Sequence, residues 1–191
     1  VVLDDKPVAK VHACTGPLFF SVAVAIATLT SRRFQNKYAQ SETAVSGMPL
    51  GGWIATGLLF ASYIQLVAGA QLRHLDPAVG PSTFRWLVLF HLVGAATVAA
   101  LSLAAVCESF GLIVTGSGRD VGRRFLSAAI LFFVCSQVLL GFGAWIVSWG
   151  LPLGLLPDAL ASRVPETNAV VVARSSLSSL IVTGHVLIGM M

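Results

Sequence analysis

The chain has 191 residues, of which 56% are hydrophobic and 10% are charged. Because an ordinary soluble domain carries about 25% charged residues, this composition excludes a water-facing globular surface. The formal net charge of +4 does not indicate a nucleic-acid partner, since the basic residues lie in short clusters between apolar runs, where lipid headgroups account for them.

Apolar runs of about twenty residues, the length that crosses a hydrocarbon core, separate the charge clusters. Helices satisfy their own backbone hydrogen bonds, so the sequence predicts an all-α polytopic transmembrane bundle of about five helices. In chain order these are helix A (Pro7 to Ser31), B (Leu50 to Gln71), C (after Pro81, with Ser82 or Thr83 as N-cap, to Cys107), D (Gly122 to Trp149) and E (starting between Arg174 and Leu177).

Helix E is cut off at Met191 inside an apolar run, and the chain does not begin with Met. We therefore expect a fragment of a longer protein. The excess of basic residues in the A–B and C–D loops predicts that these loops are cytoplasmic. Glu108, at the cytoplasmic end of helix C, is expected to be a solvated helix-end charge.

Histidines lie on three helices that run in the same direction. His12, His91 and His185 stand in the first halves of helices A, C and E, so their imidazoles are expected in the same, outer leaflet. His74 lies in the B–C loop on that side and is expected to be an interfacial residue.

Two short motifs recur along the chain. His12 is followed by Gly16 as His185 is followed by Gly189, and the Gln65 to Gly69 stretch matches the Gln137 to Gly141 stretch. These matches predict duplicated helix pairs.

Ionisable residues within membrane helices are costly enough to indicate function. Two imidazoles from facing helices can bind both axial positions of a heme iron, so His91 and His185 are predicted to be metal ligands. The glycine that follows each histidine by three or four residues is expected to leave room for the flat macrocycle: Gly16 after His12, Gly94 after His91 and Gly189 after His185.

The heme propionates would need cationic partners near the outer interface. Arg85 and Arg174 precede the two histidines on that side, with Arg73 and Lys10 nearby. The alternative interpretation is that these residues are interfacial anchors that snorkel to the headgroups.

Four segments carry a resemblance to a known family: Val11 to Phe20, Tyr63 to His74, Phe90 to Gly94 and Thr183 to Gly189. In this order they resemble the fourth, fifth, sixth and eighth helices of the heme A synthase family, and the resemblance covers essentially the whole chain.

The resemblance implies a carboxy-terminal four-helix heme-binding unit at 49–191, preceded at 1–48 by the last helix of an amino-terminal repeat. It implies conversion of heme O to heme A, with His91 and His185 as ligands of a heme b cofactor. His12 would contact the iron of heme O at the catalytic site. The family's other substrate-side histidine, glutamate and cysteine pair would precede Val1.

The resemblance further implies a multi-pass protein of the bacterial cytoplasmic membrane that supports cytochrome oxidase assembly. Candidate partners are heme O synthase, a second copy of the chain and membrane lipid; the electron donor is left open. Two alternatives stay open: a b-type cytochrome that relays electrons from quinol, and a non-heme transporter or assembly subunit whose histidines bridge helices.

Overall fold

A computed structural model of the chain describes residues 6–39, 48–76, 78–112, 121–149 and 176–189. Throughout these ranges the regular structure is α-helical, with no strand, and this confirms the predicted all-α class. The helices are α1 (Lys6–Thr30), α2 (Arg32–Ala39), α3 (Leu50–Arg73), α4 (Pro81–Ser109), α5 (Val121–Trp149) and α6 (Ser176–Gly189).

Within the described ranges, four helices are long and apolar enough to cross a membrane. These spans are Pro7–Thr30, Leu50–Arg73, Pro81–Ser109 and Val121–Ile146. The predicted fifth span contains α6, and the apolar part of α6 within the described residues is Ser179–Gly189. The chain is thus a polytopic helical membrane protein.

The start of α4 differs from the sequence prediction. Gly80 is the N-cap of α4 and Pro81 its first residue, so neither Ser82 nor Thr83 is the cap. Proline is favoured at this first position because its fixed φ suits the helix and its missing N–H would have no partner there.

The short helix α2 was not predicted, because its polar residues were assigned to a loop. It forms because Ser31 caps it: the Ser31 hydroxyl accepts a hydrogen bond from the Phe34 amide at 3.3 Å. Such a side-chain cap satisfies one of the N–H groups that every helix start leaves open.

The chain divides into two compact units, Val1–Ala128 and Ala129–Met191, and the boundary falls within α5. In the first unit α3 packs along α4, and α1 contacts α3. The second unit contains the remainder of α5 together with α6. The predicted repeat boundary between 1–48 and 49–191 stays a prediction.

The interior of the described residues is made of small or polar side chains. The buried apolar residues are Ala68, Ala70 and Val98, whereas Phe, Leu, Ile and Trp side chains on the spanning helices are widely exposed. This is the distribution expected when lipid surrounds the helices, because large apolar groups gain nothing by leaving lipid while small residues allow close helix contact.

Candidate functional site

His91 lies on the face of α4 that meets α3, and it is half-buried there. It packs against Gly69 of α3, where an added Cβ would lie 3.2 Å from His91 Cε1. The absence of a side chain at Gly69 therefore makes room for the imidazole between the two helices.

The same two helices make a second, reciprocal contact one turn away. The side chain of Gln65 on α3 packs against Gly94 on α4. A Cβ added to Gly94 would collide with Oε1 of Gln65. The Gln65 side-chain amide nitrogen also lies 3.3 Å from His91 Nε2, as a hydrogen bond. Residues three or four apart share a helix face, so the glutamine and histidine on facing helices each rest on a glycine of the other.

The second unit repeats this arrangement between α5 and α6. An added Cβ at Gly141 would lie 2.9 Å from His185 Cε1, and one at Gly189 would lie 2.6 Å from Gln137 Nε2. Each unit thus contains one histidine and one glutamine that cross over between two helices at glycines.

The His185 ring is held by a backbone group. Its Nδ1 lies 3.2 Å from the carbonyl oxygen of Gln137. A carbonyl oxygen only accepts, so Nδ1 donates and the neutral ring keeps its Nε2 lone pair. Metal-binding histidines commonly have this arrangement, in which a carbonyl fixes one ring nitrogen and the other faces the metal.

Gln65 and Gln137 are functional candidates that the sequence reasoning did not identify as such. The sequence does contain a signal for them, since Gln65 and Gln137 each begin a Gln-x-x-x-Gly motif that occurs twice in the chain. The motif did not predict that these glutamines contact the helices that carry the histidines. Gly94 and Gly189 were expected to leave room for a macrocycle. In the structure the side chain of Gln65 packs against Gly94 and that of Gln137 packs against Gly189. The Oε1 atoms of both glutamines are buried and have no hydrogen-bond partner within the described residues.

His12 differs from the other two intramembrane histidines. It is exposed on α1, and an added Cβ at Gly16 would meet nothing within 4 Å in the described part of the chain. The face of α1 with His12 and Gly16 has the same sequence pattern as the face of α6 with His185 and Gly189. No glutamine among the described residues packs against Gly16, whereas Gln137 packs against Gly189.

Of the two predicted propionate partners, Arg85 is exposed near the start of α4, and Arg174 lies outside the described residues. His74 is the C-cap residue of α3. Its pKa is lowered, first by partial burial and then by the positive charges of Arg73 and Lys10.

A different polar cluster lies at the other end of α4, about 26 Å from His91 at 1.5 Å per residue. Glu108 is buried and forms an ion pair with Arg123 of α5, so the expectation of a solvated charge was wrong. The carboxylate fits against Gly51 of α3, where an added Cβ would lie 3.1 Å from both of its oxygens.

The neighbouring hydroxyls extend this cluster. Ser109 and Ser127 are buried, and their Oγ atoms lie 2.6 Å apart as a hydrogen bond between α4 and α5. Arg124 donates from Nε to the Ser109 carbonyl at 3.3 Å and stacks over the Phe110 ring. Polar contacts therefore join these helix ends.

Each of the two helix pairs places one imidazole in a setting that suits a metal ligand. His185 has the carbonyl partner and available Nε2 of a metal ligand, and each imidazole rests on a side-chain-free glycine. Within the described ranges no group of three or more His, Cys, Asp or Glu residues could hold a metal ion. A heme iron needs only two protein ligands.

No family model, curated protein or solved structure matches the chain.

Proposed function

We propose that the chain is part of a heme A synthase-like oxidoreductase of the bacterial cytoplasmic membrane that converts the methyl group of heme O to the formyl group of heme A. In this proposal His91 and His185 are the axial ligands of a heme b. The bound heme would supply the redox chemistry, while the protein supplies ligation, orientation and burial.

The observation that supports the proposal most directly is the hydrogen bond from His185 Nδ1 to the Gln137 carbonyl. It fixes the ring tautomer and orientation, and it leaves Nε2 for iron. His91 on α4 also packs against a glycine, as His185 does. A histidine that only bridged two helices would not require a second histidine in a matching position.

His12 would contact the iron of the substrate heme O. His12 is exposed on α1, and no described residue lies within 4 Å of a Cβ added to Gly16. Both observations support this role, because a flat macrocycle needs a helix face free of side chains. Arg85, exposed near the start of α4, is the proposed partner of a heme b propionate, and Arg174 is proposed for the other.

The first experiment is a reduced-minus-oxidised absorption spectrum of the purified protein in its membrane-extracted form. The proposal expects the bands of a low-spin, bis-histidine heme b. A spectrum without heme bands would reject both the heme A synthase hypothesis and the b-type cytochrome hypothesis. It would favour a non-heme transporter or assembly subunit.

A second experiment separates the synthase from a b-type cytochrome that relays electrons from quinol. The full-length protein is co-expressed with a heme O synthase, and the extracted hemes are separated by chromatography. Heme A should appear. Accumulation of heme O without heme A, in a sample that retains heme b, would instead favour the relay.

A further inference from the structure

We propose that the guanidinium of Arg124, held where α4 ends and α5 begins, binds the phosphate of an anionic phospholipid. The site lies at the other end of α4 from His91, and the residues that form it all belong to the first compact unit. The inference goes beyond the proposed function and does not depend on it. It assigns a lipid headgroup to one particular arginine.

The guanidinium of Arg124 is held by two contacts. Its Nε donates a hydrogen bond to the carbonyl oxygen of Ser109 at 3.3 Å, one of the carbonyls that the end of a helix leaves without an intrahelical partner. Its Cζ lies over the Phe110 ring, 5.2 Å from the centroid, where a cation is attracted by the aromatic face. Both partners are neutral, so they orient the side chain without compensating its charge.

The carbonyl that receives Arg124 is itself fixed by the packing of the helix ends. Ser109 is buried, and its hydroxyl forms a 2.6 Å hydrogen bond with that of Ser127 on α5. Helix α4 ends at Ser109, and the chain turns away through Gly111, whose φ of 73° is a conformation that glycine adopts readily. The arginine is thus held in place before a ligand binds, which lowers the entropic cost of binding.

The two consecutive arginines near the start of α5 have different partners. Arg123 forms an ion pair with the buried carboxylate of Glu108, which compensates its charge. Arg124 contacts neutral groups, and its two Nη groups form no hydrogen bond with the described residues. A phosphate group has the charge and the spacing of oxygens that such a pair of N–H donors binds. Arg124 is therefore the arginine of this pair that is suited to an anion.

Large apolar side chains that contact Arg124 or lie close to it in the chain are exposed. Phe110, Leu112, Val121 and Phe125 are 46% to 76% exposed, at the ends of two membrane-spanning helices. An oriented cation beside an exposed apolar surface fits a phospholipid, whose phosphate lies at the interface and whose acyl chains lie in the hydrocarbon. An anionic headgroup is favoured over a zwitterionic one, because the latter carries its own cation beside the phosphate.

The test titrates phosphatidylglycerol into the full-length chain in detergent and counts the bound lipids by native mass spectrometry. Arg124→Gln should bind this lipid about tenfold more weakly than the wild type, the factor that one charge-assisted hydrogen bond corresponds to. Arg32→Gln, at an exposed position of α2, is the matched control for loss of a surface charge and should bind the lipid as the wild type does.

Two further variants distinguish a lipid site from an arginine that only joins two helix ends. Arg124→Lys keeps the positive charge but lacks the planar guanidinium, so it should also bind phosphatidylglycerol more weakly. Phe110→Leu removes the ring and keeps Arg124 beside the Ser109 carbonyl, so it should weaken lipid binding while the circular dichroism spectrum stays that of the wild type. These two variants serve as the test if Arg124→Gln does not fold.

Each other outcome would overturn the proposal. Unchanged lipid binding in Arg124→Gln and Phe110→Leu would show that the lipid binds elsewhere. Full binding in Arg124→Lys, or an equal loss in Arg32→Gln, would show that surface charge alone attracts the lipid. Inorganic phosphate is the second probe, and it should not displace the lipid; displacement at millimolar phosphate would show a site for a soluble anion.

Discussion

His185 packs so closely on Gly141 that a Cβ added to the glycine would lie 2.9 Å from the Cε1 atom of the imidazole. A contact of this length forces one of the two groups to move. The ring also donates from Nδ1 to the Gln137 carbonyl, so it cannot withdraw from the glycine without weakening that hydrogen bond. The position of the proposed ligand thus depends on a residue with no side chain.

Gly141→Ala is expected to destabilise the packing of α5 and α6 by about 1–3 kcal/mol, the usual cost of inserting a methyl group into a packed interface. Thermal unfolding in detergent measures the effect. Gly184→Ala is the matched control on the same helix pair, since its Cβ would meet the Leu140 methyls at 3.9 Å, an ordinary contact distance. Equal stability of the two variants would contradict the close packing at His185.

Substituting the proposed ligands should remove the low-spin heme b spectrum. His91→Ala and His185→Ala each delete one axial ligand, so each is expected to abolish the bis-histidine bands in the reduced-minus-oxidised spectrum. His74→Ala is the control, because His74 lies at the end of α3 rather than on a helix-packing face. Full heme occupancy with an unchanged spectrum in both ligand variants would refute the assignment.

The ion pair between Glu108 and Arg123 should respond unequally to removal of its two members. The Glu108 side chain is 9% exposed and that of Arg123 is 42% exposed. Arg123→Met removes the cation beside a buried carboxylate and should cost about 3 kcal/mol. Glu108→Gln should cost about 1 kcal/mol, because a neutral amide can still hydrogen-bond and the arginine can turn toward water.

Chemical or thermal unfolding of both variants checks this order. Arg32→Met, at an exposed position of α2, is the control and is expected to lie within about 0.5 kcal/mol of the wild type. The reverse order of Arg123→Met and Glu108→Gln would mean that the carboxylate is not the buried member of the pair.

His74 should titrate below its ordinary pKa of 6.5, because burial and the charges of Arg73 and Lys10 oppose protonation. The unfolded chain then takes up the proton first as the pH falls. The stability contribution of neutral His74 is therefore present above pH 6.5 and is lost as the pH falls from there toward the lowered pKa.

An NMR titration of the His74 ring measures the midpoint directly. Lys10→Gln should raise the midpoint toward the ordinary value by removing one of the opposing charges, and Lys10→Arg, which keeps the charge, should leave it low. A midpoint at or above 6.5 in the wild type would contradict the environment described for His74.

Several local features could be predicted from the sequence because their causes are local. Leu50 was predicted as the start of a helix and is the first residue of α3. The start predicted for the last helix, between Arg174 and Leu177, stays a prediction, because residues 150–175 lie outside the described part of the chain and α6 is described from Ser176 onward. Helix α2 was missed because its cap, Ser31, acts through a single hydrogen bond that apolar periodicity does not reveal.

The sequence by itself determined that the chain is an all-α membrane protein, because apolar runs of this length, with few charges, must satisfy their backbone hydrogen bonds internally. Only the tertiary structure decided which side chains fill the glycine positions: Gln65 at Gly94, His91 at Gly69 and Glu108 at Gly51. The reason is physical. Lipid gives helices no hydrophobic preference for one another, so their pairing depends on small residues meeting larger ones across separate helices, a fit that the pattern along a single helix does not contain.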